Sequence, residues 1–326
     1  MEHRNRIVPV AAEYYEPIAV VVSSEDDGKM VRNVLERRLG VSRKLLSRLK
    51  LTELGITVNG ERVYTNDRIA VGDLVEIRME QEESDDILPE PIALDIVYED
   101  KYLLIVNKPP GLIVHPTQGH YTGTLANGVV HHWKSRGERV RFRPIHRLDE
   151  ETSGLVAIAK NPYIHQQMSD QLQAGEVNKR YRAYVYGAPL AAAGTVNEPI
   201  DRDTDNPHLR VVREDGYPSV THYEVEAVYG GGAAAKVRIK LETGRTHQIR
   251  VHMKHIGCPL IGDKLYGFAG EGAEGGSAAL EAAVQRQALH AAILSFKHPM
   301  TGERMTFEAA LPKDLQQLEA ALRALE

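Results

Sequence analysis

Several classes of protein are excluded by what the sequence lacks. A single cysteine, Cys258, in 326 residues rules out a disulfide framework and a multi-cysteine zinc site, and it is typical of a reducing compartment. No apolar run approaches the ~20 residues of a membrane-spanning helix. Residues 1–16 are charged and lack the apolar core of a signal peptide. We therefore predict a cytoplasmic protein that has no membrane partner.

Motifs for the common cofactors are missing as well. The chain has no G-x-x-x-x-G-K, no H-E-x-x-H and no G-x-G-x-x-G after a predicted strand. His247, His252 and His255 resemble a metal-binding set, but their spacing does not place them on one helix face. We therefore expect neither a cofactor nor a metal site.

The charges are distributed unevenly along the chain. The net charge of −5 argues, taken alone, against a polyanionic partner. However, residues 29–50 contain eight lysines and arginines and one acid, whereas residues 80–90 contain six acids and no base. Because a polyanion responds to the local patch more than to the total charge, the basic stretch indicates nucleic-acid binding.

Composition and periodicity divide the chain into four parts. We predict an extended N-terminal arm over residues 1–28, with a candidate short strand at Ile18–Val22, and a small αβ domain over residues 29–79. Residues 80–91 combine the acidic run with Pro89 and Pro91, which predicts an extended acidic linker. Residues 92–326 form the large domain.

The small domain has the pattern of an RNA-binding module. Ser42 is placed to cap a basic second helix, and Asn59-Gly60 predicts a tight turn between two strands. This order resembles the alpha-L RNA-binding motif of ribosomal proteins, tRNA synthetases and RNA-modifying enzymes. The alternative is a basic helix face that only meets solvent. The candidate RNA contacts are Arg43, Lys44 and Arg48.

The large domain consists of many short alternating segments with a few helical insertions. In residues 236–241, for example, lysine and arginine alternate with valine, isoleucine and leucine, as in a strand with one buried face. Such a run predicts an α+β domain built on a mixed, largely antiparallel sheet.

Residues 146–154, H-R-L-D-E-E-T-S-G, form the stretch most suited to chemistry. Arg147 can meet a phosphate or stack on a base, and Asp149 can act as a nucleophile or base. The following hydroxyls and Gly154 can shape the turn. The alternative is a surface turn in which Asp149 caps backbone amides. These nine residues alone leave both interpretations open.

Two further residues favour the chemical interpretation. Tyr181 lies on the apolar face of a predicted strand, where its hydroxyl needs a partner. Arg245 lies at a strand–helix junction, where loops commonly carry functional groups. An acid beside an arginine in a cleft stays ionised, which suits a nucleophile that needs no metal.

Five motifs in this order resemble the RluA-type RNA pseudouridine synthases. They are N-K-P-P-G-L-x-V-H-P (107–116), H-R-L-D-x-x-T-S-G-L (146–155), K-R-Y-x-A-x-V-x-G (179–187), G-R-T-H-Q-I-R-V-H-M (244–253) and L-H-A-x-x-L-x-F-x-H-P (289–299). The resemblance covers residues 92–313. It implies a pseudouridine synthase fold, an RNA substrate and an isomerisation that needs no cofactor.

The resemblance also implies residue roles. Asp149 is the expected catalytic aspartate that breaks the glycosidic bond of a flipped uridine, and Tyr181 is expected to pack on the uracil. Arg245 is expected to hold Asp149 in an ion pair, and Arg147 to replace the flipped base in the RNA stack. We expect a monomer that acts on ribosomal RNA, with transfer RNA as a possible substrate.

Two alternatives remain at this stage. The chain could be a non-catalytic RNA-binding or ribosome-assembly protein with the same fold. It could also be a glycosidase, which would need a second carboxylate at a defined distance from Asp149. Glu150 and Glu151 are close in sequence, but a tight turn would direct them away from Asp149.

Overall fold

The structure is a computed structural model that describes residues 13–267 and 278–325. Its small domain contains an antiparallel sheet in the order β1-β4-β2-β3 and two short helices. Their bounds are β1 (Ile18–Val21), α1 (Val31–Arg37), α2 (Arg43–Leu49), β2 (Ile56–Val58), β3 (Glu61–Arg62) and β4 (Leu74–Ile77).

The local signals of the small domain form as predicted. The Ser42 side chain accepts a hydrogen bond of 3.2 Å from the backbone N–H of Leu45 and so caps α2. Asn59 and Gly60 have φ angles of 51° and 85°, and they connect the antiparallel strands β2 and β3. On α2, the leucines are buried while Arg43, Lys44 and Arg48 are exposed.

The strand indicated at Ile18–Val22 forms as β1 and joins the sheet of the small domain. Strand β1 pairs with β4 in antiparallel register, Ile18 opposite Ile77. Ile18 and Val22 are buried in the core of the small domain. The chain forms this strand because its apolar side chains complete the sheet face that covers α1 and α2. Residues 1–12 of the predicted arm lie outside the described residues.

The large domain contains a twisted mixed sheet. Among the described strands the order is β10-β13-β14-β9-β15-β8-β6-β5, with β16 on β15 and β7 on β8. Strands β15 and β8 run parallel, and the other neighbours run antiparallel. The bounds are β5 (Ile96–Glu99), β6 (Leu103–Lys108), β7 (Arg143–Pro144), β8 (Ser153–Ala159), β9 (Asn178–Tyr186), β10 (Ala193–Asn197), β11 (Ile200–Arg202), β12 (Arg210–Val212), β13 (Val220–Tyr229), β14 (Ala234–Leu241), β15 (Leu289–Lys297) and β16 (Arg304–Glu308).

Helices cover both faces of this sheet and confirm the predicted α+β class. They are α3 (Leu125–Ser135), α4 (Pro162–Gln173), α5 (Gln248–His255), α6 (Ala278–Ala283) and α7 (Lys313–Arg323). Strand β8 is buried along its whole length because it lies between two hydrophobic clusters. No helix in the described ranges is both long and apolar enough to cross a membrane.

The small domain packs against helix α4 of the large domain. The Tyr163 hydroxyl donates to the carbonyl of Leu39 at 2.7 Å, and Gln166 donates to the carbonyl of Gly40 at 2.6 Å. Gln166 also accepts from the backbone N–H of Ser42 at 2.8 Å. One hydrophobic cluster continues from α1 and α2 into α4 and β8. The two domains therefore share a core.

The segment predicted as an acidic linker contacts both domains. Glu82 forms ion pairs with Arg48 of the small domain and Arg143 of the large domain. Glu83 lies 2.8 Å from Arg139. Ser84, which is buried, accepts a hydrogen bond of 2.8 Å from the backbone N–H of Phe142. Segment 80–91 is thus extended but fixed in place by its partners.

Candidate active site

A cleft of about 480 Å³ opens beside the C-terminal end of α4. Its wall is formed by the 145–152 loop, the start of β9 and the turn that leads from β14 into α5. The sequence-predicted residues Arg147, Asp149, Tyr181 and Arg245 all line it. Residues separated by almost one hundred positions therefore meet in one site.

The loop that carries Asp149 is held by buried cations. The buried Lys108 ammonium donates to the carbonyls of Pro109 at 2.9 Å and Glu150 at 2.8 Å. Arg286 donates to the carbonyl of Glu151 at 2.8 Å. Burial, with the nearby charge of Arg286, lowers the pKa of Lys108 to about 7. These bonds fix the backbone on the C-terminal side of Asp149.

Gly154 ends this loop in a backbone conformation that other residues avoid. Its φ is 117°, and a Cβ placed there would lie 2.3 Å from the carbonyl oxygen of Ala291. Glycine is required because β8 approaches the parallel strand β15 at this point. The close approach fixes the loop against the centre of the sheet.

The ion pair of Asp149 involves Arg250. Arg250 Nη1 lies 3.4 Å from Asp149 Oδ2, and its other nitrogens bind the carboxylate of Asp263 at 2.7 Å each. The Asp263 side chain is fully buried and Arg250 is 5% exposed. Burial lowers the pKa of Arg250, but the two carboxylates outweigh it and raise the pKa above its ordinary value.

The prediction that Arg245 pairs with Asp149 is therefore wrong. Arg245 lies in the turn before α5, and its exposed guanidinium covers the ring of Tyr217 at 5.5 Å. Its Nε donates to the carbonyl of Pro218 at 3.3 Å. Arg245 lines the rim of the cleft, whereas Arg250 projects inward from the first turn of α5. A sequence signal existed, since Arg250 shares a helix face with the buried Met253.

Tyr181 lies in the cleft wall and is 6% exposed. Burial, together with the negative charge of Asp149, raises the pKa of Tyr181 well above its ordinary value. The phenol therefore stays protonated at neutral pH. A protonated, largely buried ring can supply a flat apolar surface for a base in the cleft.

His247 is a site residue that the sequence interpretation did not assign. Its Nε2 lies 4.0 Å from Asp149 Oδ2, and its Nδ1 lies 2.8 Å from the Tyr266 hydroxyl. Its φ of 58° is in the left-handed region, where a non-glycine residue is strained. Burial lowers the pKa of His247 despite the opposing charge of Asp149. In this backbone conformation its ring lies beside the aspartate.

Arg147 is exposed at the mouth of the cleft, two residues before Asp149. This position lets its side chain reach a molecule that enters the cleft. In the small domain, Arg43 and Lys44 are exposed as predicted, whereas Arg48 pairs with Glu82. Across the described residues, no group of three or more histidines, cysteines and acids is arranged to hold a metal ion.

Comparison with known proteins identifies the family of the chain. The family model described as RNA pseudouridylate synthase matches residues 102–255. An uncharacterized RNA pseudouridine synthase of Bacillus subtilis (strain 168), YjbO, is 40% identical over 281 residues, which cover 86% of this chain and 95% of the relative. The chain belongs to the RluA-type RNA pseudouridine synthases. The resemblance noted from the five motifs is thereby confirmed.

Other relatives agree with this assignment. Ribosomal large subunit pseudouridine synthase D of Escherichia coli (strain K12) is 38% identical over 284 residues, 85% of this chain and 86% of the relative. The structure of human RNA Pseudouridylate Synthase Domain Containing 1 matches with a TM-score of 0.53 and 27% identity, covering 72% of this synthase and 98% of the human chain. The predicted fold class and the predicted enzyme class are confirmed.

Proposed function

We propose that this synthase converts uridines of large-subunit ribosomal RNA to pseudouridine, with Asp149 as the group that acts on the target nucleotide. The observation that carries the proposal is the accessibility of Asp149. Its side chain is 22% exposed in the cleft, whereas its partner Arg250 is buried. The names of five relatives that specify the large ribosomal subunit support the substrate class.

The proposed reaction is an isomerisation. Asp149 acts on the target uridine so that the bond between N1 of uracil and C1′ of ribose breaks. The uracil then turns, C5 bonds to C1′, the proton of C5 leaves and N1 gains a proton. Atoms and charge balance without any co-reactant. The contact with the buried Arg250 holds the Asp149 carboxylate in place for this step.

The other residues position the RNA. Tyr181 packs against the flipped uracil, and its raised pKa suits this role better than that of a phenolate base. Arg147 occupies the space that the base leaves in the RNA stack, which offsets part of the few kcal/mol that extrusion costs. Arg43, Lys44 and Arg48 bind the phosphate backbone of RNA that extends to the small domain.

We also propose that the synthase acts as a cytoplasmic monomer. A single chain supplies Asp149, Tyr181 and Arg250, so that the cleft needs no residue of a second copy. The single cysteine is buried and free, as expected in a reducing compartment.

Tritium release tests the proposed function. A 23S ribosomal RNA transcript labelled at C5 of uridine is incubated with the wild type, with Asp149→Asn and with the control Glu308→Gln, an exposed carboxylate on β16. We expect release by the wild type and the control and none by Asp149→Asn. Release by Asp149→Asn would refute the assigned role, and release from transfer RNA transcripts alone would refute the substrate class.

The two alternatives make different predictions in the same assay. A glycosidase would liberate free uracil, and an RNA-binding protein without activity would bind the transcript and release no tritium. Mapping pseudouridine in total RNA from cells with and without the protein then identifies the modified position.

A further inference from the structure

The Lys179 ammonium in the cleft wall has no partner among the described residues. Lys179 is the second residue of β9, is 8% exposed and lines the cleft. The described part of the chain contains no group that hydrogen-bonds or pairs with its ammonium. The nearby His146 has a buried Nδ1 atom that also lacks a hydrogen-bond partner among the described residues. Buried polar groups rarely stay unpaired.

The proton of His146 lies on this unpaired atom. Its Nε2 accepts the backbone N–H of Ala157 at 3.4 Å, so the neutral ring carries its hydrogen on Nδ1. Burial and the positive charge of Lys179 lower the pKa of His146 to about 3, so the ring is neutral at physiological pH. The ring therefore carries no charge beside Lys179, and its buried Nδ1 stays out of reach of a ligand in the cleft.

The position of Lys179 indicates which acceptor it binds. Lys179 and Tyr181 project from the same face of β9, two residues or roughly 7 Å apart. If the base lies at Tyr181 and its sugar at Asp149, the next acceptors along the nucleotide are the oxygens of a neighbouring phosphate.

We propose that Lys179 binds the phosphate adjacent to the flipped uridine and so fixes the sugar against Asp149. This proposal rests on the proposed function, because it takes the cleft as the site of the flipped nucleotide. Lys179 is a substrate-binding residue in this scheme. It retains the target nucleotide through its charge and takes no part in breaking the glycosidic bond.

Three small probes test the subsite without the natural RNA. Uridine, uridine 5′-monophosphate and uridine 3′-monophosphate are titrated into the protein, and their dissociation constants are measured by NMR. We expect one monophosphate to bind the wild type at least tenfold more tightly than uridine, since charged hydrogen bonds of this kind contribute about 1.5–3 kcal/mol. The preferred isomer identifies the phosphate on the 5′ or the 3′ side.

Variants then assign the effect to Lys179. Lys179→Met is expected to remove the preference for the monophosphate, and Lys179→Arg to retain most of it. The matched control is Lys297→Met, at an exposed lysine at the end of β15. Thermal unfolding of each variant verifies that it folds.

Two results would overturn the phosphate subsite. One is equal affinity of the wild type for uridine and both monophosphates. The other is an unchanged preference in a folded Lys179→Met variant. Both are binding measurements, so they are independent of tritium release. Loss of tritium release in the wild type, with the phosphate preference intact, would instead refute the proposed function alone.

Discussion

Replacing Arg250 should damage stability and activity through one buried network. Arg250→Met removes the cation that bonds Asp263 twice at 2.7 Å and contacts Asp149 at 3.4 Å. Removal of one partner of a buried pair typically costs about 3–5 kcal/mol because it leaves an uncompensated charge. The fully buried carboxylate of Asp263 is that charge here.

This loss can be expressed as a melting temperature. The entropy of unfolding is roughly 2.1 cal/mol/K per residue. For a chain of 326 residues, a decrease of about 4 kcal/mol in the free energy of unfolding therefore lowers the melting temperature by about 6 °C. Differential scanning calorimetry measures the shift. Arg245→Met is the matched control, and it should stay within about 0.5 kcal/mol because Arg245 is exposed.

A double variant separates stability from chemistry. Arg250→Met combined with Asp263→Asn removes the stranded charge, so it should melt at a higher temperature than Arg250→Met alone. It should still release no tritium, because Asp149 has lost its ion-pair partner. A double variant that is no more stable than the single variant would refute the electrostatic explanation. Full activity of either variant would refute the positioning of Asp149 by Arg250.

Three further predictions concern other parts of the chain. Burial opposes the ionisation of Glu99, but His132 and other donors outweigh it and lower its pKa from 4.5 to about 2. Its ionised form therefore contributes on the order of 3 kcal/mol to the free energy of unfolding above pH 4.5, and this contribution is lost as the pH falls towards 2. Between pH 4.5 and 2, the free energy of unfolding of Glu99→Gln should fall less than that of the wild type. Gly154→Ala should unfold at a lower urea concentration and lose activity, because the added Cβ would collide with β15. An unchanged midpoint of urea unfolding would contradict this. The logarithm of the RNA-binding constant falls linearly with the logarithm of the salt concentration, and replacing Arg43 and Lys44 by glutamine should make this slope shallower by roughly 1.4–1.8. An unchanged slope would exclude both contacts.

Features that depend on neighbouring residues could be predicted from the sequence. The cap at Ser42 and the turn at Asn59-Gly60 are determined within a few positions, and both form as expected. The alternating strands of the large domain likewise indicated an antiparallel sheet. The five motifs placed Asp149 and Tyr181 in one cleft because family resemblance carries tertiary information that periodicity lacks.

Features that depend on distant partners could not be predicted. The residues of β1 indicated a strand, but its pairing with Leu74–Ile77, more than fifty residues later, could not be read from them. Arg245 and Arg250 are both plausible partners of Asp149 in sequence. The choice depends on the direction of α5 and on Asp263, which binds only the second arginine. His247 is placed by a strained backbone that its sequence neighbours do not reveal.

The shared core between the two domains has a consequence for target choice. Helix α4 is 12 residues, or about 18 Å, long. Near its N-terminal end Tyr163 binds the small domain, and at its C-terminal end Leu172 and Gln173 line the cleft. The helix thus fixes the distance between the basic face of α2 and Asp149. An RNA that contacts both must present its uridine at one set distance and orientation, so the enzyme can select its target by shape.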